Sequence, residues 1–459
     1  MIELPAPPSK SISHRMLMAA ALAEGRSVVS NVLESDDIAR TVELLGLFGA
    51  QCERQAPGTY AVRGVNGQIR GSAGLPAKDV YVGESGTTCR FGMALLSAGT
   101  GLFRLHGSGR MQERPMGELA RAVSSLGAQV TFEGEEGCLP LVLQAKGFSS
   151  EQGAGGTPSV VISCDASSQY LSGLLMAAPL GSASGLRIAL QGERIVSWPY
   201  VALTLATLEL FGIAFSVKTL VEGEWKEADW QSMRRTSPKS IRFRVFGGSY
   251  LAGRYTVEGD WTSAAYFLAA GAVGQTPVKM LGLNPDSMQA DMECKGILRR
   301  MGARVEEDGT GITVYPSRLR GVKVHMGDCP DLVPTVAALA YHAEGPTEIR
   351  GASQLPLKES NRITAPAEEL RKAGCTVEEL LDGLRIFPPA TALQGNVRNR
   401  TFSSHGDHRL AMSLSLLGIG AGANDTPFVP DIDDAACVSK SFPEFWTLWE
   451  KATGAKNPC

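Results

Sequence analysis

Leu44–Cys52 reads LLGLFGAQC, a helix-like run closed by Gly49 and followed at once by strand-like residues. Glycine at a helix C-terminus supplies the left-handed turn that other residues resist. The pattern returns at Ala122–Val130 (AVSSLGAQV), Leu208–Val217 (LELFGIAFSV), Ile297–Val305 (ILRRMGARV) and Leu370–Val377 (LRKAGCTV). The marker glycines Gly49, Gly127, Gly212, Gly302 and Gly374 lie 78, 85, 90 and 72 residues apart. Recurrence at a steady interval is the signature of a repeated structural unit.

A second element alternates with the first. Runs rich in Ala and Leu occur at His14–Glu24, Arg90–Ala98, Gln169–Pro179, Ser263–Val273, Leu332–Ala343 and His408–Gly418. Helices apolar on all sides are buried ones. Strand-like runs at Ser27–Val32, Val160–Ser163, Leu186–Leu190, Ile241–Val245 and Gly311–Tyr315 fall between them. The pattern predicts six similar α/β units, each with one buried and one amphipathic helix.

Composition sets the frame. A chain of 459 residues is too long for one core, so two to four domains are expected. Apolar residues make up 44% and charged residues 20%, the values of a soluble globular protein. Net charge is −3, so no global field draws the chain to nucleic acid or an anionic membrane. No apolar run reaches the roughly 18–20 residues of a membrane span, and Met1–Pro5 lacks the pattern of a signal peptide. Nine scattered cysteines with no CxxC pair predict free thiols in a reducing cytoplasm. His405 and His408 are three apart, but no Cys or Glu companion completes a ligand set, so no metal is expected.

Polar residues gather before each buried helix. Lys10, Ser11 and Ser13 precede the first, with Arg15 in its opening turn; Gly83-Glu84-Ser85-Gly86-Thr87-Thr88 leads to Arg90 before the second. Ser167-Ser168-Gln169, Gly259-Asp260-Trp261-Thr262, Asp328-Cys329-Pro330-Asp331 and Gly406-Asp407-His408-Arg409 precede the others. Ser, Thr and Asp there read as N-caps. Cations there oppose the helix dipole, and a bound anion would offset that repulsion. Lys10, Arg15, Arg90 and Arg409 therefore predict helix N-termini converging on phosphate or carboxylate groups. Arg110–Pro115, Leu357–Arg362 and Lys440, ahead of an aromatic helix at Ser441–Trp449, add charge to such a site. No GxxxxGK[ST], GxGxxG or GxSxG motif is present, so no nucleotide cofactor is expected.

These motifs, in order, resemble the 5-enolpyruvylshikimate-3-phosphate synthase family. Pro8–Arg15 is similar to its N-terminal signature, Gly83–Arg90 to its glycine-rich loop and Glu113–Gly117 to its Arg-Pro segment. Ser167–Gln169, Val196–Tyr200, Glu258–Asp260, Lys358–Ser360 with Arg362, Asp407–Arg409 and Lys440–Pro443 follow in family order. The resemblance implies a two-domain inside-out α/β barrel, each domain of three βαβαββ units, with the active site in the interdomain cleft. It implies a first domain over 11–257 and a second over 1–10 plus 258–459. It further implies a cytoplasmic, monomeric transferase of the shikimate pathway that takes shikimate 3-phosphate and phosphoenolpyruvate and needs no cofactor.

By matching motif positions, the resemblance assigns shikimate 3-phosphate to Lys10, Ser11, Arg15, Ser167, Ser168, Gln169, Ser197, Tyr200, Asp331, Gln354 and Lys358. It assigns phosphoenolpyruvate to Lys10, Gly86, Thr87, Arg90, Arg114, Gln169, Arg362, Arg409 and Lys440. Asp331, Glu359 and Lys10 take the catalytic roles, with Glu359 as proton donor and Asp331 as base. Two positions depart from the family: Glu84 and Gln354 each stand where Asn is usual. A carboxylate at 84 would repel phosphoenolpyruvate unless turned away. The rival readings are an enolpyruvyl transferase acting on UDP-N-acetylglucosamine, and a non-catalytic anion-binding relative. Gly107–Pro115 lacks the reactive Cys typical of the first, and Glu359, Asp331 and the cations are all present against the second.

Overall fold

The computed structural model describes residues 1–149, 156–233, 236–390, 397–420 and 426–458. They form two compact units: Lys10–Val257, and Met1–Ser9 together with Glu258–Cys459.

In the Lys10–Val257 unit the helices are α1 (Lys10–Leu22), α2 (Asp36–Phe48), α3 (Gly86–Ala98), α4 (Gly117–Ser125), α5 (Gln169–Gly181) and α6 (Trp198–Leu210). Three sheets accompany them. One runs Arg254–Thr256, Arg26–Ser30, Thr59–Arg63, Gln51–Ala56; a second runs Lys78–Tyr81, Thr100–His106, Leu141–Lys146, Gln129–Phe132. The third has five strands, Glu224–Glu227, Phe215–Val221, Ile241–Val245, Leu186–Gln191 and Ser159–Ser163. In the other unit lie α7 (Trp261–Val273), α8 (Cys294–Arg300), α9 (Val333–Ala340), α10 (Thr364–Lys372), α11 (His408–Leu414) and α12 (Phe445–Thr453). Its sheets are Ile2–Pro5, Val278–Leu281, Gly311–Tyr315, Arg304–Asp308; then Lys323–His325, Thr347–Arg350, Gly383–Phe387, Thr376–Leu380; and a two-stranded pair, Thr401–Phe402 with Asp431–Ile432.

The βαβαββ order is direct in the Lys78–Lys146 and Lys323–Phe387 stretches. At the first repeat of each unit the chain borrows. The strand that should precede α1 is Arg254–Thr256, parallel to Arg26–Ser30. The strand that should precede α7 is Ile2–Pro5, parallel to Val278–Leu281. Each unit thus completes its first repeat with a strand from the far end of its own sequence.

Helices α1, α3, α5, α7, α9 and α11 are the six apolar runs. Every residue of α3 but Thr87, and every residue of α7 but Ser263, is buried. Each large apolar side chain so removed from water contributes about 1.5–3 kcal/mol. The helices between them are followed by the marker glycines: Gly49, Gly127, Gly212, Gly302 and Gly374 all have left-handed φ, from 76° to 103°. The helix before Gly212, α6, is mostly buried and apolar along its length rather than amphipathic as expected, because α1 and α5 both pack against it. Two boundaries differ from the sequence reading. Helices α1 and α3 begin four residues earlier than the apolar pattern, at Lys10 and Gly86. First-turn N–H groups need no partner within the helix, so Ser and Gly are tolerated there; the Ser85 hydroxyl accepts from Thr88 N. The aromatic helix begins at Phe445 rather than Ser441, because residues 435–440 form a 3₁₀ turn and Pro443 follows it.

Candidate active site

The assigned residues fall into two sets, one in each unit. In Lys10–Val257, Lys10 opens α1 and its Nζ lies 3.0 Å from Asp37 Oδ2 at the start of α2. Arg90 Nη1 donates to Gln169 Oε1 at 2.7 Å, and Gln169 Nε2 donates to Thr87 Oγ1 at 2.9 Å. Three of the residues assigned to phosphoenolpyruvate are thus joined in one hydrogen-bonded row across α3 and α5. Arg90 also lies over the Tyr170 ring, whose hydroxyl donates to Pro115 O. Arg114 is buried against Gly86, where a Cβ would fall 2.7 Å from its Nη1.

Arg15 is placed differently from the helix-start expectation. It lies in the second turn of α1 and is buried, with Nε donating to Thr204 Oγ1, Nη1 to Ser11 O and Nη2 to Tyr200 O at 2.8–2.9 Å. Burial pulls its pKa down to about 10, against the pull of Tyr200. Ser197 caps α6 with φ 55°, a left-handed conformation costly for Ser. Ser167 Oγ accepts from Gln169 N at the head of α5, and Ser168 is buried beside it. Glu84 turns onto the 107–112 loop: a Cβ at Gly109 would meet its Oε1.

The second set centres on Arg362, whose side chain is 1% exposed. Its Nη1 donates to Asp331 Oδ1 at 2.7 Å and its Nη2 to Glu359 Oε2 at 2.9 Å. Behind it, Nε donates to Asp407 Oδ2 at 2.6 Å and Nη2 to Asp407 Oδ1 at 3.0 Å. Asp331 also faces Arg409 Nη2 at 3.0 Å and Lys358 Nζ at 3.5 Å. Burial alone would raise the Asp331 pKa; Arg409, Lys358 and Arg362 outweigh it and hold the carboxyl far below the ordinary range. Arg362 is lowered by burial but driven up overall by Asp407, Glu359 and Asp331. Nearby Asp291 is pushed up to about 7 by burial and by Asp331. Lys440 ends a 3₁₀ turn that packs on α11, the helix bearing Arg409. Gln354 is buried with Nε2 donating to Gly327 O at 3.1 Å.

Sequence reasoning missed Asp37, and it marked Asp407 in a motif without giving it the grip on Arg362. Both stand at helix starts, where a cap role was sufficient explanation. It also missed the companions of His405. Glu369 Oε1 lies 2.9 Å from His405 Nε2 and Glu368 Oε2 lies 3.7 Å away, some 36 residues removed in sequence for Glu369. Glu369 is already held by Lys372 and by Ser403 N, so the cluster reads as a charge network. The eight described cysteines are free thiols. No helix among the described residues is long and apolar enough to cross a membrane.

Comparison with known proteins identifies the family. The family model for EPSP synthase (3-phosphoshikimate 1-carboxyvinyltransferase) matches residues 2–449. A 3-phosphoshikimate 1-carboxyvinyltransferase of Marinomonas sp. is 36% identical over 97% of this chain and 96% of its own. One of Shewanella denitrificans is 37% identical over 98% of this chain and 96% of its own. An EPSP synthase structure from Acinetobacter baumannii superposes with TM-score 0.72 at 26% identity, covering 98% of this chain and 95% of that one. The chain belongs to the EPSP synthase (3-phosphoshikimate 1-carboxyvinyltransferase) family.

Proposed function

We propose that this chain transfers the enolpyruvyl group of phosphoenolpyruvate to the 5-hydroxyl of shikimate 3-phosphate, releasing phosphate. The observation that carries the reading is the Arg362 guanidinium, which sets the carboxylates of Asp331 and Glu359 side by side among Lys358 and Arg409.

Phosphoenolpyruvate becomes electrophilic at C2 once C3 gains a proton. Glu359 delivers that proton, and Asp331 takes the proton of the attacking 5-hydroxyl. A base held at low pKa is a weak one. Anionic substrates drawing Arg409 and Lys358 toward themselves raise the basicity of Asp331 when it is needed. The tetrahedral adduct then loses a C3 proton and phosphate to give the enolpyruvyl ether. Lys10, Arg90, Arg114 and Lys440 offset the charge of phosphate and carboxylate groups, Arg doing so with a planar fork. Ser11, Ser167, Ser168, Ser197 and Tyr200 hold the shikimate ring. The same reading makes the protein a cytoplasmic monomer, which sedimentation would check.

The UDP-N-acetylglucosamine alternative loses further support from Cys138, the thiol against the 107–115 loop. It is buried, donates to Glu113 O at 3.6 Å and is pushed up in pKa by burial, the opposite of a reactive thiolate. Phosphate release with phosphoenolpyruvate should appear with shikimate 3-phosphate as acceptor and not with UDP-N-acetylglucosamine. Release with the nucleotide sugar alone would overturn the reading.

A further inference from the structure

A buried chain of side-chain hydrogen bonds runs through α1, α2 and α3. His14 Nδ1 lies 2.7 Å from Thr41 Oγ1, Thr41 Oγ1 lies 2.7 Å from Thr88 Oγ1, and Thr88 Oγ1 lies 2.8 Å from Ser85 Oγ. Thr88 Oγ1 also donates to Asp37 O at 3.4 Å, and Ser85 Oγ accepts from Thr88 N at 3.3 Å. All four side chains are buried at 0% exposure. Among the described residues His14 Nε2 has no hydrogen-bond partner.

The chain has a direction. The unpartnered His14 Nε2 sets it: a bare lone pair there is less costly to bury than an orphaned N–H, so the proton sits on Nδ1. Nδ1 then donates to Thr41 Oγ1, and Thr41, its oxygen so occupied, donates to Thr88 Oγ1. The Thr88 O–H is passed on to Ser85 Oγ or Asp37 O at the far end. Burial, the nearby Lys10 and Arg15 keep His14 neutral against Asp37, with a pKa of about 3, so the tautomer persists across ordinary pH.

Each link sits next to a group assigned to phosphoenolpyruvate. Asp37 holds Lys10 at 3.0 Å; Thr88 follows Gly86 and Thr87; Ser85 caps the helix carrying Arg90. We propose that His14 and Thr41 are positioning residues, which fix the first turn of α3 against the Lys10–Asp37 pair through this one-way chain. The inference rests on the enolpyruvyl-transfer reading above.

Thr41→Val keeps the shape and removes the hydroxyl; Thr41→Ser keeps the hydroxyl. Thr41→Val is expected to raise KM for phosphoenolpyruvate about tenfold, with KM for shikimate 3-phosphate within about twofold, and Thr41→Ser to restore the wild-type value. In ¹⁵N NMR His14 should be the neutral Nδ1–H tautomer in the wild type and lose that preference in Thr41→Val. An Nε2–H tautomer in the wild type overturns the proposal. So does a Thr41→Val protein with unchanged KM values, or one whose two KM values rise equally in step with a lowered Tm. A wild-type enzyme that turns over neither acceptor would instead defeat the functional reading, while the NMR result still tests the chain.

Discussion

Glu84 presses its carboxylate onto Gly109, where a Cβ would lie 2.0 Å from Oε1 and where φ is +52°. The acid that departs from the family pattern is therefore turned to the 107–112 loop. Gly109→Ala must both adopt a left-handed backbone and displace Glu84. A loss of about 2–3 kcal/mol is expected from urea unfolding, the strain of a left-handed non-glycine residue plus the overlap. In a Glu84→Ala background only the backbone share, about 1 kcal/mol, should remain. Equal losses in both backgrounds would show that Glu84 does not fill that space.

Gly86 lies under Arg114. A methyl group there would stand 2.7 Å from Nη1 and 2.9 Å from Cζ, so the guanidinium must move. Gly86→Ala is expected to raise KM for phosphoenolpyruvate at least tenfold while leaving shikimate 3-phosphate binding within about twofold. Steady-state phosphate release and titration calorimetry check the two halves separately.

Glu359→Gln keeps the shape of the side chain and its place beside Arg362 but cannot act as a carboxylic acid. Turnover should fall by roughly 10²–10⁴, the usual worth of general acid catalysis, with shikimate 3-phosphate still bound. Near-normal turnover would remove Glu359 from the reaction.

Asp407 grips the buried face of Arg362 with both oxygens and also accepts from Ser360 Oγ and Arg409 N. Asp407→Ala leaves a buried guanidinium short of charge, so a loss of about 3–5 kcal/mol is expected. Adding Arg362→Met should recover part of that stability while activity stays lost. Denaturant melts of the single and double variants decide the point.

Asp291 titrates at about 7 when folded, against 3.8 as its ordinary value. Between those values the folded protein holds one proton more than the unfolded chain. Its contribution is therefore fully present below 3.8 and is lost as pH rises through 7. Asp291→Asn cannot ionise. The Tm difference, variant minus wild type, should grow in the variant's favour by several degrees from pH 5 to pH 8. A flat difference would mean that Asp291 is ionised throughout.

Much of this was legible beforehand. The five marker glycines that follow α2, α4, α6, α8 and α10 are required by left-handed φ, and such a demand is written in a single residue type. The six buried helices announce themselves by being apolar on every side. The charge network was less legible, for two physical reasons. Asp37 and Asp407 occupy helix starts, where a cap explains an acid equally well. Glu369 meets His405 only because the fold returns to the same place after tens of residues. The sequence marks Arg15 and Arg362 as cations suited to anions, while their donors rest largely on the protein's own oxygens. A cation's sign is visible in sequence; its partner is not.

The borrowed strand Ile2–Pro5 has a consequence for how the chain is made. Ile2 leaves the ribosome well before Val278, the residue it pairs with. At about 5–20 residues per second its partner emerges roughly 14–55 s later. Throughout that interval the whole of Lys10–Val257 is synthesised, including its own borrowed strand Arg254–Thr256. The unit begun second is therefore the first able to close, and Met1–Ser9, though made before it, are among the last to find their place.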